Sequence, residues 1–160
     1  MKDSRTLHGL DDVLAKLKSL PPEIVSRRGG PVKSALRKGG IVIQKAAQAN
    51  IRSIVQQLDE SKYVSTGTLE QSVVVRRDPN PQRSGANERY RVLIARRKYP
   101  DGTKTVATAR YLEFGTEMRA PTPFMLPAFH SSAAQAISTV ETELARSIQR
   151  IIRRMETGAI

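Results

Sequence analysis

The chain of 160 residues contains no cysteine and no tryptophan. Disulfides, zinc fingers, iron–sulfur clusters, thiol nucleophiles and redox motifs are excluded with the cysteines. Two histidines, His8 and His130, are too few for an imidazole-based metal site. Aromatic residues make up only 4%, which argues against bases or sugars stacked on aromatic platforms. No stretch approaches the roughly 18 to 20 uninterrupted apolar residues of a membrane span, and the opening Met1-Lys2-Asp3-Ser4-Arg5 leads into no apolar signal core. No membrane partner and no cofactor are expected, and the protein is expected to be made and used on the cytoplasmic side of a cell. Gly-rich phosphate loops are missing, Glu70, Asp78, Glu88 and Asp101 form no spaced acid–base or metal set, and Ser and His fall in no nucleophile pattern. The residues point away from an enzyme.

Positive charge, in contrast, is abundant. Lys and Arg number 27 against 15 Asp and Glu, a formal charge of +12. Residues 1–60 carry 11 basic and 6 acidic side chains, 61–110 carry 11 and 4, and 111–160 carry 5 and 5. The excess therefore lies outside the C-terminal third. A solvated basic surface, an acidic neighbour in an assembly, or non-specific contact with DNA through Arg76, Arg77, Arg96, Arg97 and Lys98 would each account for it.

The length predicts a single domain over 1–160, with a core at about 31–155 and residues 1–30 as an N-terminal helical extension. In that extension Leu10, Val13, Leu14 and Leu17 form the stripe of a short amphipathic helix that Pro21-Pro22 stops. A second helical pattern runs from Pro31 to Leu58 through Leu36, Ile43, Ala47, Ile51 and Ile54. Gly39-Gly40 interrupts it at a cost of about 1 kcal/mol per glycine. Either the helix bends, divides or starts late there, or another backbone comes very close, and a start near Gly40 is the simpler reading.

Ser65-Thr66-Gly67-Thr68 is turn chemistry, and Val73-Val74-Val75 opens a strand ending at Arg76-Arg77. Residues 78–89 hold almost nothing apolar and predict a mobile loop. Tyr90 to Arg97 reads as the next strand, Tyr99-Pro100-Asp101-Gly102-Thr103 as a tight turn, and Thr105 to Ala109 as a returning strand, giving a meander of about three. The final helix has the cleanest period, with Phe129, Ala133, Ile137, Val140, Leu144, Ile148, Ile151 and Met155 three or four apart. The expected fold is α+β, a small antiparallel sheet packed against a long helix of the N-terminal half and a long C-terminal helix over about 124–155.

Four of the seven aromatics lie between Tyr111 and Phe129. In that segment Gly115 suits a backbone reversal after an apolar pair, Pro121 and Pro123 stiffen a connector that delivers Phe124, and Pro127 falls in the first turn of the last helix. Leu112, Phe114, Phe124 and Leu126 read most simply as core residues closing that helix onto the sheet, with a direct intersubunit contact as the other role open to at least one of them, so that the stretch from Leu112 through Thr116 to Pro127 is the expected assembly or core segment. Glu113 reads as an exposed carboxylate, His130 as a surface or partly buried side chain. Arg146, Arg150, Arg153 and Arg154 suit the negative end of a helix dipole.

The run Leu112-Glu113-Phe114-Gly115-Thr116, followed by Ala-Pro-x-Pro-Phe-x-x-Pro-Ala at 120–128 and a long helix, resembles the small tail-completion or neck proteins of long-tailed bacteriophages. Upstream, Thr66-Gly67-Thr68-Leu69 with Ser72 is similar to the segment that joins helix to sheet in that family. The resemblance spans about 31–155. It departs at Gly39-Gly40, where the family continues a helix, and in the loop 78–89, which varies among members. It implies a structural virion protein at the head–tail junction, made in the host cytoplasm. Such a protein acts without catalysis by binding copies of itself, in a ring that is six-fold as tails commonly are, and other neck or tail proteins. The rival reading is a basic DNA-binding accessory protein, although no helix-turn-helix pair or ribbon motif is evident.

Overall fold

The computed structural model of the chain describes residues 30–57 and 65–157. The amphipathic stripe at Leu10–Leu17 lies outside the described residues. The elements, in order, are α1 (Gly30–Gln56), α2 (Thr68–Ser72), β1 (Val73–Arg77), a 3-10 turn at Pro81–Ser84, β2 (Tyr90–Ile94), α3 (Thr105–Phe114) and α4 (Met125–Glu156). The strands pair antiparallel with Val73 opposite Ile94 and Arg77 opposite Tyr90. The fold is thus α+β, and α1 is its centre: α4 runs along one side of it and the hairpin lies on another.

The long helices meet through matching ridges. On α1 the buried positions Ala35, Gly39, Ala47 and Ile51 recur at multiples of four, as do Ala128, Ser132, Ala136 and Leu144 on α4, in line with the buried Phe124. Residues four apart form a continuous ridge on a helix, and small residues along it let two axes approach closely. Ser132 is tolerated there because its hydroxyl donates to the Ala128 carbonyl at 2.6 Å.

Helix α1 does not begin late at Gly39-Gly40; it runs through both. A Cβ on Gly39 would stand 2.5 Å from Val140 Cγ2 and 3.1 Å from the Ala136 carbonyl oxygen, and one on Gly40 would stand 2.8 Å from Val75 Cγ1. The pair marks two close approaches, of α4 on one side and β1 on the other, and these offset the low helix propensity of glycine.

Three polar side chains of α1 hold its neighbours in place. Gln44 Nε2 donates to the Val73 carbonyl at 2.7 Å, Gln48 Nε2 to that of Glu70 at 3.2 Å, and Asn50 Nδ2 to that of Phe124 at 2.9 Å. Around them the core gathers Ala47, Ile51, Leu69, Val73, Ala109, Phe124 and Ala128.

The meander is a two-stranded hairpin, and the segment expected as a third strand is helix α3. Strand β2 ends at Ile94, sooner than Arg97. The Tyr99–Thr103 turn forms, with the Gly102 N–H donating to the Tyr99 carbonyl at 2.9 Å and Gly102 at φ 84. What turns the chain into a helix is the buried Thr105. Its hydroxyl donates to the Ala95 carbonyl at 2.8 Å and accepts from the Arg97 N–H at 3.0 Å, holding the incoming strand end against the first turn of α3. Thr105, Ala109 and Leu112 then follow a helical spacing of four and three toward the core.

The loop 78–89 is folded back on itself. Its ends close through the Asp78 N–H to the Arg89 carbonyl at 2.8 Å, Pro81 is buried, and Asp78 Oδ1 accepts from the Asn80 N–H at 3.1 Å.

Candidate assembly surface

The connection from α3 to α4 starts with a glycine reversal. Gly115, at φ 74, ends α3 and lies so close to the following chain that a Cβ would stand 2.7 Å from the Arg119 carbonyl oxygen and 2.9 Å from the Pro121 nitrogen. A non-glycine residue is excluded there on both counts. Residues 116–119 make a two-residue turn closed from both sides, with the Thr116 N–H donating to Arg119 at 2.9 Å and the Arg119 N–H to Thr116 at 3.2 Å. The chain then runs through Pro121 and Pro123, tied down by the Thr122 N–H to the Leu112 carbonyl at 2.7 Å, and delivers Phe124, 1% exposed, to the core.

Glu113 is not a free surface carboxylate. Its Oε2 accepts from the backbone N–H groups of Phe124 and Met125, and its Oε1 from that of Leu126, each at 2.9 Å. A helix leaves its first four N–H groups without partners inside it. Three of the four at the start of α4 are taken by one carboxylate, and the fourth belongs to Pro127, which has none to satisfy. The negative charge also meets the positive end of the helix dipole. Leu-Glu-Phe-Gly-Thr and Pro-Phe-x-x-Pro are therefore two halves of one cap. The signal in the sequence was a Glu two residues before a glycine, answered by a Pro three residues into the next helix.

Of the residues expected in the core, Phe124 is buried and Leu112 is half-buried against it. Phe114 is 75% exposed and Leu126 57%, so neither closes the final helix onto anything. The reason is geometric: Phe114 is the last residue of α3 and Leu126 the second of α4, and both line an open groove. The apolar stripe of α4 shows a similar displacement. Positions 128, 132 and 136 are buried on α1, while Phe129 is exposed and Ala133 and Ile137 are half-buried. The small residues take the close contact, and the larger ones beside them are left facing outward.

These outward residues converge. Phe114, Leu126, Phe129 and Val106, together with Ile137 and Val140 of α4, Leu36 and Ile43 of α1 and Val92 of β2, line an open, almost wholly apolar groove of about 1200 Å³. Glu88, Arg89, Arg110 and Glu141 stand among the lining residues. An apolar groove with a few charges at its margin is the usual character of a protein-binding surface.

At the helix-to-sheet turn, Gly67 takes φ 66 and opens α2, and the Thr66 and Thr68 hydroxyls lie 2.7 Å apart. Leu69 enters the core, and the buried Ser72 donates to the Thr68 carbonyl at 2.6 Å. The basic residues are less uniform than the sequence suggested. Arg77 makes a two-pronged pair with Glu88, at 2.8 and 2.7 Å, which holds the Glu88 carboxyl below its usual range. Arg76, Arg96, Arg97 and Lys98 are exposed, and none has an ion-pair partner among the described residues. His130 is exposed and stands edge-on to Phe129 at 5.8 Å. Arg146 pairs with Glu143 at 3.0 Å, and Lys38 of α1 bonds to the same carboxylate and lowers its pKa. Among the described residues no group of three or more His, Asp or Glu could hold a metal ion, and no helix is long and apolar enough to cross a membrane.

A family model described as "Bacteriophage HK97-gp10, putative tail-component" matches residues 11–115. No curated protein and no solved structure matches the chain.

Proposed function

The chain belongs to the HK97-gp10-like family of bacteriophage tail components, and we propose that it completes the tail or joins it to the head by assembling into a ring with copies of itself. One observation carries this reading. The segment Leu112–Phe129 builds a hydrogen-bonded cap and, in the same stroke, leaves Phe114, Leu126 and Phe129 uncovered along an apolar groove. A subunit that worked alone would gain by burying them, since each large apolar side chain is worth about 1.5–3 kcal/mol when removed from water. Cyclic, head-to-tail association of copies would cover the groove of each, and a six-fold ring would match the axis of a tail. The protein acts as a virion component at the head–tail junction after assembly in the host cytoplasm, holding neighbours in register without catalysis. Other neck or tail proteins are its further partners.

Arg76, Arg96, Arg97 and Lys98, exposed and without an ion-pair partner among the described residues, support one additional contact, a non-specific one with packaged DNA. Weak duplex binding whose affinity falls steeply with salt would be its mark, and no binding at low salt would remove it.

The test is a phage lacking this gene, complemented with the wild-type chain or with Phe129→Glu. Electron microscopy of the deletion should show heads and tails that fail to join, and Phe129→Glu should reproduce that defect while the purified subunit stays folded. Normal infectious particles from the deletion would refute the reading.

A further inference from the structure

Six large apolar side chains are strongly exposed among the described residues, and their distribution is uneven: Val106, Phe114, Leu126 and Phe129 line the groove, while Tyr111 and Met118 do not. Met118 is 99% exposed, more than any other of the six. It is no loose end. It sits at the tip of the 116–119 turn, closed by two reciprocal backbone hydrogen bonds and backed by the close approach of Gly115 to Arg119 and Pro121. A flexible, polarizable apolar side chain is thus held out on a rigid base, a form suited to filling an irregular apolar site.

We infer that Met118 of one copy inserts into the apolar groove of the next, so that the 116–119 turn is the knob and the groove between α3, α4 and β2 is its socket. The inference rests on the ring reading and identifies the contact that makes it. Charge supports the match: Glu117 and Arg119 flank Met118 on the turn, while Arg110 on the α3 wall and Glu141 on the α4 wall carry the opposite signs, and neither has an ion-pair partner among the described residues. Symmetry supports it as well. Knob and socket are different patches of one chain, so each contact leaves a free knob at one end and a free socket at the other, and only closure into a ring satisfies all of them. A two-fold contact of groove on groove would leave Met118 bare. One segment supplies both parts, since Gly115 sets the turn and Phe114 and Leu126 form part of the groove wall.

The absence of cysteine makes the test clean. Met118→Cys and Ile137→Cys are made separately, mixed, and treated with a short bismaleimide. The mixture should give covalent dimers that neither variant gives alone, and the double variant should give a ladder ending at the ring. Met118→Glu should leave the melting temperature of the free subunit unchanged and raise the concentration needed for assembly about tenfold or more. If oligomers form in sedimentation but the mixture does not cross-link and Met118→Glu assembles like wild type, the knob assignment falls and the ring stands. If the wild-type protein stays monomeric at every concentration and Met118→Glu supports normal particles, both fall.

Discussion

Replacing Glu113 by glutamine keeps its size and removes the charge from the start of α4. The carboxylate accepts three backbone N–H groups at 2.9 Å through both oxygens. A carboxamide has one oxygen, and its NH2 would face a donor where an acceptor is needed. Loss of an N-cap costs about 1 kcal/mol and loss of a charge at the dipole about 0.3–1. Hydrogen bonds to a charged group are worth about 1.5–3 kcal/mol each, and these contributions overlap. Together they give about 2–4 kcal/mol. For a chain of this length 1 kcal/mol moves the melting temperature by roughly 2–4 °C, so Glu113→Gln should melt about 4–16 °C lower. Thermal unfolding followed by far-UV circular dichroism, with urea titration for the free energy, measures it. Glu117→Gln, an exposed neighbour outside the cap, should be silent. A Glu113→Gln protein within about 0.5 kcal/mol of wild type would refute the cap as the reason for this residue.

Gly39→Ala should destabilise by about 1–3 kcal/mol in the same titration even though alanine is the better helix former, because its methyl would meet Val140 and the Ala136 carbonyl; Gly40→Ala should cost less, since only Val75 must yield. Phe124→Ala should cost about 3–5 kcal/mol and abolish a folded subunit, whereas Phe114→Ala should change the melting temperature by no more than a degree or two. Acid should weaken the fold in a defined direction. Arg77 holds the folded-state pKa of Glu88 below the ordinary 4.5, so that pair's contribution is present above 4.5 and lost as pH falls through the lowered value. Urea midpoints measured from pH 7 to 3 should drop in that window, and Glu88→Gln should flatten the slope.

The fold class and most elements were legible because burial there follows sequence period. Three consecutive valines allow little but a strand, and β1 has the expected ends, Val73 and Arg77. Periodicity failed where one side chain redirected the chain. Thr105, Val106 and Thr108 carry the β-branched signature of a strand, yet the Thr105 hydroxyl bridges to Ala95 and Arg97 and starts a helix. Gly39-Gly40 looked like a helix boundary because a sequence displays the propensity of glycine but not the neighbours pressed against it. The candidate surface was half legible. Aromatic density marks the segment, but a hydrophobic residue left exposed looks the same in sequence as one that is buried, which is why Phe114 and Leu126 read as core. The role of Glu113 is not visible from its near neighbours, since its three partners lie eleven to thirteen residues away and only the Glu-x-Gly and Pro-Phe-x-x-Pro pieces taken together signal it.

The pairing of α1 with α4 also governs when this protein can fold as it leaves the ribosome. Lys38 finds Glu143 across 105 positions of chain, so the first long helix is synthesised well before the surface that covers it. The hairpin and α2, built from contacts close in sequence, can form early. The ridge of Ala35, Gly39 and Ala47 must stay bare until α4 has emerged, and a nascent chain stalled short of α4 exposes it to aggregation. Truncated products lacking α4 would have half of the groove and no cover for α1.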